Sequence, residues 1–223
     1  TTFVRPHHCK AGAQFAELMI TKELRIPLGR VVLMSAHHEG ILMSALGLVA
    51  QVIQPVGEDG SVRVPQGVRC LMPPVVATGS ALMAETVGEE LALTGVNSQF
   101  CEALAQAVGL DPNLGNNVLS IGQSQVLHIV KALLIDPDVL CLMRPMTLVP
   151  YELAPSMTKL LRVWQGCGGA PGLASMLGVP SPQDPQVFRS TRRTLVMGNV
   201  VQQLFECSAL DCSITLEEYL LQD

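Results

Sequence analysis

The sequence predicts an α/β domain, and three observations support this class. A short β-type run at residues 30–34 leads into a polar loop, and an apolar segment typical of a buried helix then extends to Ile53. A capped helix is predicted to begin after Ser120. It is followed at residues 139–143 by a charge-free run of the kind found in central parallel strands. A strand, a loop and a helix in this order open many α/β folds.

Turn residues separate the predicted strands in the first third of the chain. Residues 23–26 and 30–34 are predicted to be adjacent strands, because a Pro-Leu-Gly turn lies between them. Residues 55–65 are punctuated by Gly and Pro and predict a surface segment. A further strand is expected at residues 68–72.

Helices dominate the prediction for the middle of the chain. One begins near Glu85, a second is capped by Asn97, and a third is capped by Ser120. Pro150 suits the first turn of a fourth helix, and residues 166–192 predict no regular structure. Beyond them, a β-hairpin is predicted with a Gly198-Asn199 turn, and Thr215 with Glu218 predicts a capping box for a short terminal helix.

Composition limits the classes of partner. Of the 223 residues, 48% are hydrophobic and only 15% are charged, and the mean hydropathy is +0.37, so extensive burial against partner proteins is expected. Lys and Arg number 14 and Asp and Glu number 19, which gives a net charge of −5, and no basic block is present. Nucleic acid is therefore not expected as a partner, because phosphate binding needs a clustered positive surface.

Neither membrane insertion nor metal binding is predicted. The apolar stretch at residues 41–53 is shorter than the roughly 18 to 20 residues of a membrane-spanning helix, and residues 1–10 show no targeting pattern. The seven cysteines form no CxxC pair, which favours free thiols in a reducing, intracellular compartment. His7-His8-Cys9 supplies too few donors for a metal site, and His37-His38-Glu39 is interpreted as a solvated loop.

One block of the sequence resembles a known family. Leu119-Ser120-Ile121-Gly122-Gln123 is followed by a helical stretch and then by residues 136–142, which read DPDVLCL. This order and spacing resemble the nucleotide-binding domains of ABC transporters, in which an LSGGQ signature opens a helix that leads to the Walker B strand. The resemblance implies an α/β, ABC-ATPase-like domain at residues 23–223, with a mixed sheet around a central helix and a smaller helical subdomain at about 74–130. Residues 1–22 then form an N-terminal extension.

The family's phosphate-binding side chains are missing at the matching positions. A Walker A loop, GxxxxGK[ST], holds phosphates through backbone N–H groups and a lysine, and its hydroxyl binds Mg²⁺. Residues 35–42 or 36–43 occupy this place, so that Ile41, Leu42 and Met43 stand at the lysine and hydroxyl positions. An apolar surface is expected where the family neutralises charge.

The half of the site that binds metal and water departs from the family independently. Met143-Arg144-Pro145 replaces the family's Asp-Glu-Pro, so both carboxylates are missing while the proline is kept. Pro73-Pro74 stands where the family has a glutamine, and no histidine follows His128 to serve as the switch histidine. The comparison with the family therefore implies a pseudo-ATPase with no catalytic residue, no metal ligand and no cofactor of its own.

Ser120, Gly122 and Gln123 leave two interpretations open. Ser120 is simply a helix cap and Gly122 a close-packing residue, or the three present a helix N-terminus to ATP and Mg²⁺ held by a partner domain. The favoured function is an inactive structural or docking subunit of a larger assembly, which contacts the membrane only through its protein partners. The alternative is the degenerate half of an asymmetric ABC transporter, whose signature contacts ATP held by the transporter partner.

Overall fold

The architecture is taken from a computed structural model of the chain. It describes residues 2–4, 18–20, 23–55, 62–75, 82–115, 119–181, 193–200 and 210–219. Several predicted features lie outside these residues, namely His7-His8-Cys9, most of the extension at 1–22, Gly60 and Ser61 of the surface segment, and residues 201–204 of the hairpin.

The chain divides into two compact units. The first comprises Thr1–Met72, Asp138–Arg144 and Thr194–Asp223, and the second comprises Pro73–Pro137 and Pro145–Arg193. The predicted helical subdomain at residues 74–130 lies within the second unit.

The first unit contains all seven described strands. Their bounds are β1 (Thr2–Val4), β2 (Leu18–Ile20), β3 (Val31–Ala36), β4 (Cys70–Leu71), β5 (Val139–Met143), β6 (Thr194–Val200) and β7 (Cys212–Thr215). Five of them form a sheet in the order β4-β5-β6-β3-β7, and every pairing in it is parallel. β1 and β2 pair antiparallel in a separate two-stranded sheet. A single mixed sheet was expected. Among the described residues, the parallel pairings lie in the five-stranded sheet and the antiparallel pairing lies in the two-stranded sheet.

The core of the first unit forms between the parallel sheet and helix α1 (Glu39–Val49). β3 and β5 are buried at every position, as predicted for strands inside a parallel sheet. Leu42 and Leu46 of α1 pack with Met34 and Val196 in one apolar cluster. The predicted order of strand, polar loop and buried helix is confirmed, and the described elements form the expected α/β fold.

The second unit is built from five helices. They are α2 (Val87–Ala92), α3 (Ser98–Ala107), α4 (Ile121–Ile135), α5 (Ala154–Gly166) and α6 (Ala170–Leu177). The predicted cap of α3 is confirmed, because the Asn97 side chain accepts a hydrogen bond of 2.8 Å from the N–H of Phe100. A 3-10 turn at Tyr151–Leu153 follows Pro150 and precedes α5, so the predicted helix begins with a tighter turn.

Two strand predictions are wrong. Residues 23–26 are not paired in a strand, since both edges of the neighbouring β3 are occupied by β6 and β7. Gly198 and Asn199 lie inside β6 rather than in a hairpin turn. A Cβ atom on Gly198 would stand 2.6 Å from Cδ1 of Leu46, so this glycine allows α1 to pack closely over the strand.

Two helix predictions also need correction. Residues 166–192 were expected to lack regular structure, yet α6 occupies part of this segment and begins beside Pro171, which suits a first helical turn. The chain forms a short 3-10 turn at Leu216–Glu218 instead of a capped terminal helix. The Thr215 side chain makes no capping hydrogen bond there.

Candidate functional site

The first part of the candidate site is the connection between β3 and α1. Its position, after an interior strand of the parallel sheet and at the start of the buried helix, corresponds to that of a phosphate-binding loop. His37 and His38 form the turn, and Glu39 is the first residue of α1. His38 is the N-cap, but its side chain makes no capping hydrogen bond. The helix therefore begins with a carboxylate near its positive end.

Ile41, Leu42 and Met43, which the family resemblance aligns with the lysine and hydroxyl of a Walker A loop, pack with the core of the first unit. Leu42 is fully buried in the apolar cluster of the first unit. Ile41 and Met43 are partly buried and pack against the same cluster. In either of the two possible registers, the side chains at these positions are apolar and supply neither a cation nor a hydroxyl.

The second part of the site is the end of β5. Arg144 follows this strand with a φ of 46°, in the left-handed region that is rare for residues other than glycine. Its N–H donates a hydrogen bond of 2.8 Å to the carbonyl oxygen of Gly198 on β6. That contact fixes the backbone of Arg144 at the carboxyl end of the sheet, where the family resemblance places the glutamate that polarises the attacking water.

An ion pair between Glu39 and Arg144 joins the start of α1 to the end of β5. Nη1 of Arg144 lies 3.0 Å from Oε2 of Glu39, and the arginine is largely buried while the glutamate is half-exposed. Nε of Arg144 is buried and has no hydrogen-bond partner in the described residues. A phosphate site has a cationic lysine in the loop and a carboxylate after the strand. Here the charges are reversed, because the Glu39 carboxylate follows the loop and the Arg144 cation follows β5.

In the second unit, the residues of the signature-like motif are held by contacts within the chain. The Ser120 side chain accepts a hydrogen bond of 3.2 Å from the N–H of Gln123. The Gln123 side chain accepts one of 2.8 Å from the N–H of Ser120, which completes a capping box at the start of α4. The predicted cap is confirmed, and the capping hydrogen bonds hold the Gln123 side chain in place.

Gly122 has a packing role that the structure explains. A Cβ atom at this position would overlap the carbonyl oxygen of Leu148 and would stand 3.4 Å from Cδ of Pro150. Ile121, which occupies a glycine position of the family's signature, is partly exposed. Local packing and capping therefore account for Gly122 and Gln123, whereas the exposed Ser120 hydroxyl remains able to donate a hydrogen bond.

Two buried charge networks in the second unit were not anticipated from the sequence. Asp136, at the end of α4, pairs with Arg193 and also accepts hydrogen bonds from Trp164 Nε1 and the N–H of Ala170. Glu90 on α2 pairs with Lys131 on α4. The sequence signal for both was weak, because the partners lie 57 and 41 residues apart.

Hydrogen bonds determine the protonation of Glu90. Burial alone would raise the pKa of its carboxyl group, but the hydrogen bond from Lys131 and those from the N–H groups of Ala84 and Met83 outweigh burial. The pKa of Glu90 is therefore below its usual value. Burial also lowers the pKa of His128, with a further contribution from Lys131 that Glu90 partly opposes.

The described residues contain neither a cluster of metal ligands nor a membrane-spanning helix. Within those ranges, no three His, Cys, Asp or Glu side chains converge as a metal site would require. Within the same part of the chain, none of the helices combines the length and the apolar character needed to cross a membrane.

Comparison with known proteins supports the fold and no more specific assignment. No protein-family model matches the sequence, and the search of curated proteins found no match. A protein from Pyrococcus furiosus, described as an ABC transporter ATP-binding protein, has a similar structure, with a TM-score of 0.58 and 15% identity over 92% of this chain and 96% of that one. The ATP-binding cassette MJ0796, in a dimeric post-hydrolysis state bound to ADP and Pi, gives a TM-score of 0.57 with 14% identity over 89% and 84%. The chain therefore has the fold of ABC transporter ATP-binding domains.

Proposed function

We propose that this protein is a catalytically inactive subunit with an ABC nucleotide-binding fold, which serves a structural or docking role in a larger, membrane-associated assembly. The observation that carries the proposal is the ion pair between Glu39 and Arg144. The family resemblance aligns Glu39 with the phosphate-binding loop and Arg144 with the glutamate that polarises the attacking water.

Electrostatics explain why this arrangement disfavours nucleotide. A polyphosphate bound at the start of α1 would meet the Glu39 carboxylate, and Mg²⁺ at the end of β5 would meet the Arg144 guanidinium. Catalysis of phosphoryl transfer depends on positioned cations and on a residue that orients the attacking water. Leu42 is buried at one of the two possible lysine positions and supplies no such charge.

Composition supports a docking role. Only 15% of the residues are charged, and several large apolar side chains are exposed on the isolated chain. Exposed apolar surface is characteristic of proteins that bury it against partners. Any contact with a membrane would be made through those partners, in a reducing intracellular compartment.

A titration of the full chain with Mg·ATP tests the proposal. We expect no binding heat at nucleotide concentrations up to about 1 mM, which corresponds to a binding free energy weaker than roughly −4.1 kcal/mol, and no hydrolysis above background. The matched variant Glu39→Gln/Arg144→Gln removes both charges. It should also fail to bind, because no lysine is gained. Micromolar affinity of the natural chain would refute the proposal.

The exposed Ser120 hydroxyl at the start of the 15-residue helix α4 supports a second candidate function. In that function Ser120 contacts ATP held by a partner domain, as a helix N-terminus can bind an anion. Ser120→Arg would then reduce the ATPase activity of the complex purified with its natural partner. Unchanged activity in that complex would eliminate the second candidate.

A further inference from the structure

Three contacts join α1, β5 and β6 in a closed ring within the first unit. The side chain of Arg144, which follows β5, pairs at 3.0 Å with Glu39 at the start of α1. The N–H of Arg144 donates a hydrogen bond of 2.8 Å to the carbonyl oxygen of Gly198 on β6. Gly198 lies against α1, because a Cβ atom there would stand 2.6 Å from Cδ1 of Leu46 and 3.0 Å from Cγ of Leu42. Each of the three elements is therefore tied to the other two.

The ion pair acts on the first turn of α1, and the apolar contacts of the ring act on the turns that follow. Glu39 is the first residue of the helix, and the side chain of His38 before it makes no capping hydrogen bond. Leu42 lies one turn after Glu39, and Leu46 follows one turn later. Both leucines are fully buried. Loss of the ion pair should therefore loosen the start of α1 while the rest of the helix stays packed on β6.

The backbone of Arg144 has a conformation that its neighbours must maintain. Its φ of 46° lies in the left-handed region, which a residue with a Cβ atom adopts at a cost in free energy. Such conformations persist only where the surrounding contacts determine them, and they often mark functional positions. Arg144 is held on two sides, by the carbonyl oxygen of Gly198 through its N–H and by the Glu39 carboxylate through its side chain.

We infer that this ring, defined by Glu39, Leu42, Leu46, Arg144 and Gly198, is a clamp that holds the start of α1 to the end of β5 without a ligand. The inference rests on the proposed inactive role and specifies what keeps this part of the fold in one conformation. In P-loop proteins, Mg²⁺ and the phosphates link the loop before the helix to a carboxylate at the end of a second strand. In this chain an internal ion pair makes a comparable link.

Burial and backbone fixation distinguish this pair from an ordinary surface ion pair. Two exposed and flexible side chains gain little by pairing, because both lose conformational entropy. Glu23 and Arg25 form such a pair, only two positions apart and with 71% and 81% of their side chains exposed. The Arg144 side chain is only 26% exposed, and its backbone is already fixed by Gly198. Less entropy is therefore lost when Arg144 binds its carboxylate partner on α1.

Hydrogen–deuterium exchange of the full chain tests the inference, followed in peptides that cover residues 37–46 and 143–146. Glu39→Gln and Arg144→Gln should each accelerate exchange of the protected amides in both peptides by about fivefold. The charge swap Glu39→Arg/Arg144→Glu rebuilds the pair with opposite polarity and should return the rates to within about twofold of the natural chain. Glu23→Gln, which removes the carboxylate of the exposed pair, is the matched control and should leave both peptides unchanged.

Three outcomes would overturn the clamp. These are unchanged exchange in the two single variants, a charge swap that exchanges as fast as they do, and equal acceleration in a peptide from α3, which would show a general loss of stability. Added Mg·ATP separates this inference from the proposed function and should leave the exchange of the natural chain unchanged. Protection by Mg·ATP, together with acceleration in Glu39→Gln and Arg144→Gln, would refute the inactive role alone. Unchanged exchange in every sample would refute the clamp alone.

Discussion

The carboxylate of Asp136 and the guanidinium of Arg193 form a buried ion pair within the second unit. Nη2 of Arg193 lies 2.6 Å from Oδ2, and Nε donates a second hydrogen bond of 3.2 Å to Oδ1. Both side chains are at most 2% exposed. Oδ1 also accepts hydrogen bonds from Trp164 and Ala170, so the network links α4 to α5, to the start of α6 and to the residue that precedes β6.

Removing the cation from this network should be strongly destabilising. Arg193→Leu leaves the Asp136 carboxylate buried without its counter-charge, and we expect the free energy of unfolding to fall by about 3–5 kcal/mol. Arg25→Leu is the matched control, because its ion pair with Glu23 is largely exposed, at 81% and 71% of the two side chains. Chemical denaturation of both variants provides the measurement, and equal effects would contradict this account of Arg193.

Gly122 should not tolerate a methyl group. In Gly122→Ala the new Cβ overlaps the carbonyl oxygen of Leu148, which belongs to the backbone and cannot rotate away. We expect a loss of roughly 1–3 kcal/mol, as for overpacked sites. Gly166→Ala is the control in α5, because no heavy atom lies within 4 Å of its Cβ position, and it should gain about 0.4–1 kcal/mol. A stable Gly122→Ala variant would show that α4 and the Leu148 backbone can separate at little cost.

The left-handed backbone of Arg144 predicts a difference between two truncations. Arg144→Ala and Arg144→Gly both lose the ion pair with Glu39, but only glycine adopts the φ of 46° without strain. The glycine variant should therefore be more stable than the alanine variant by about 1 kcal/mol. Thermal unfolding of the two proteins measures this difference. Alanine at or above the stability of glycine would mean that the strand end relaxes out of this conformation.

His128 should make stability fall in mild acid. Its pKa is lowered in the folded chain by burial and by Lys131, so below a pH of about 6.5 the unfolded chain binds a proton that the folded chain does not. The unfolding free energy should therefore decrease as the pH falls from about 6.5 towards the lowered pKa of the folded state. His128→Gln should flatten that part of the profile in denaturation experiments at several pH values. Identical profiles for the two proteins would assign the acid sensitivity to other groups.

Sequence patterns predicted the elements whose signals are local. Asn97 and Ser120 were identified as caps because their side chains need only a backbone N–H within the next turn. The buried runs of β3 and β5 were recognised because a central parallel strand excludes charge on both faces.

Glycines caused the main errors, because their role here depends on distant partners. The Gly198-Asn199 pair is typical of a hairpin turn. In the structure Gly198 instead leaves room for the side chains of Leu42 and Leu46, which pack against β6. Gly169 and Gly172 led to the prediction of a loop where the structure has the start of α6. A Cβ atom on Gly169 would meet the side chain of Asp136, which is distant in the sequence. No pattern of neighbouring residues reveals such close approaches.

The candidate site was predicted only in its composition. The sequence placed Ile41, Leu42 and Met43 in a loop and Arg144 after a strand. In the structure the three apolar residues lie in α1 and pack with the core of the first unit, and Arg144 directly follows β5. The ion pair with Glu39 was missed, because the two residues lie 105 positions apart and an exposed loop was expected around His37 and His38.

The pairing of β3 also bears on how the chain is synthesised. Within the described residues, β3 pairs only with β6 and β7, whose residues leave the ribosome more than 150 positions later. Until Thr194 and the residues after it emerge, an apolar strand would have both edges open to other nascent chains. Completion of the first unit must therefore wait until β6 and β7 have been synthesised, and a chaperone that shields β3 during elongation would raise the yield of folded protein.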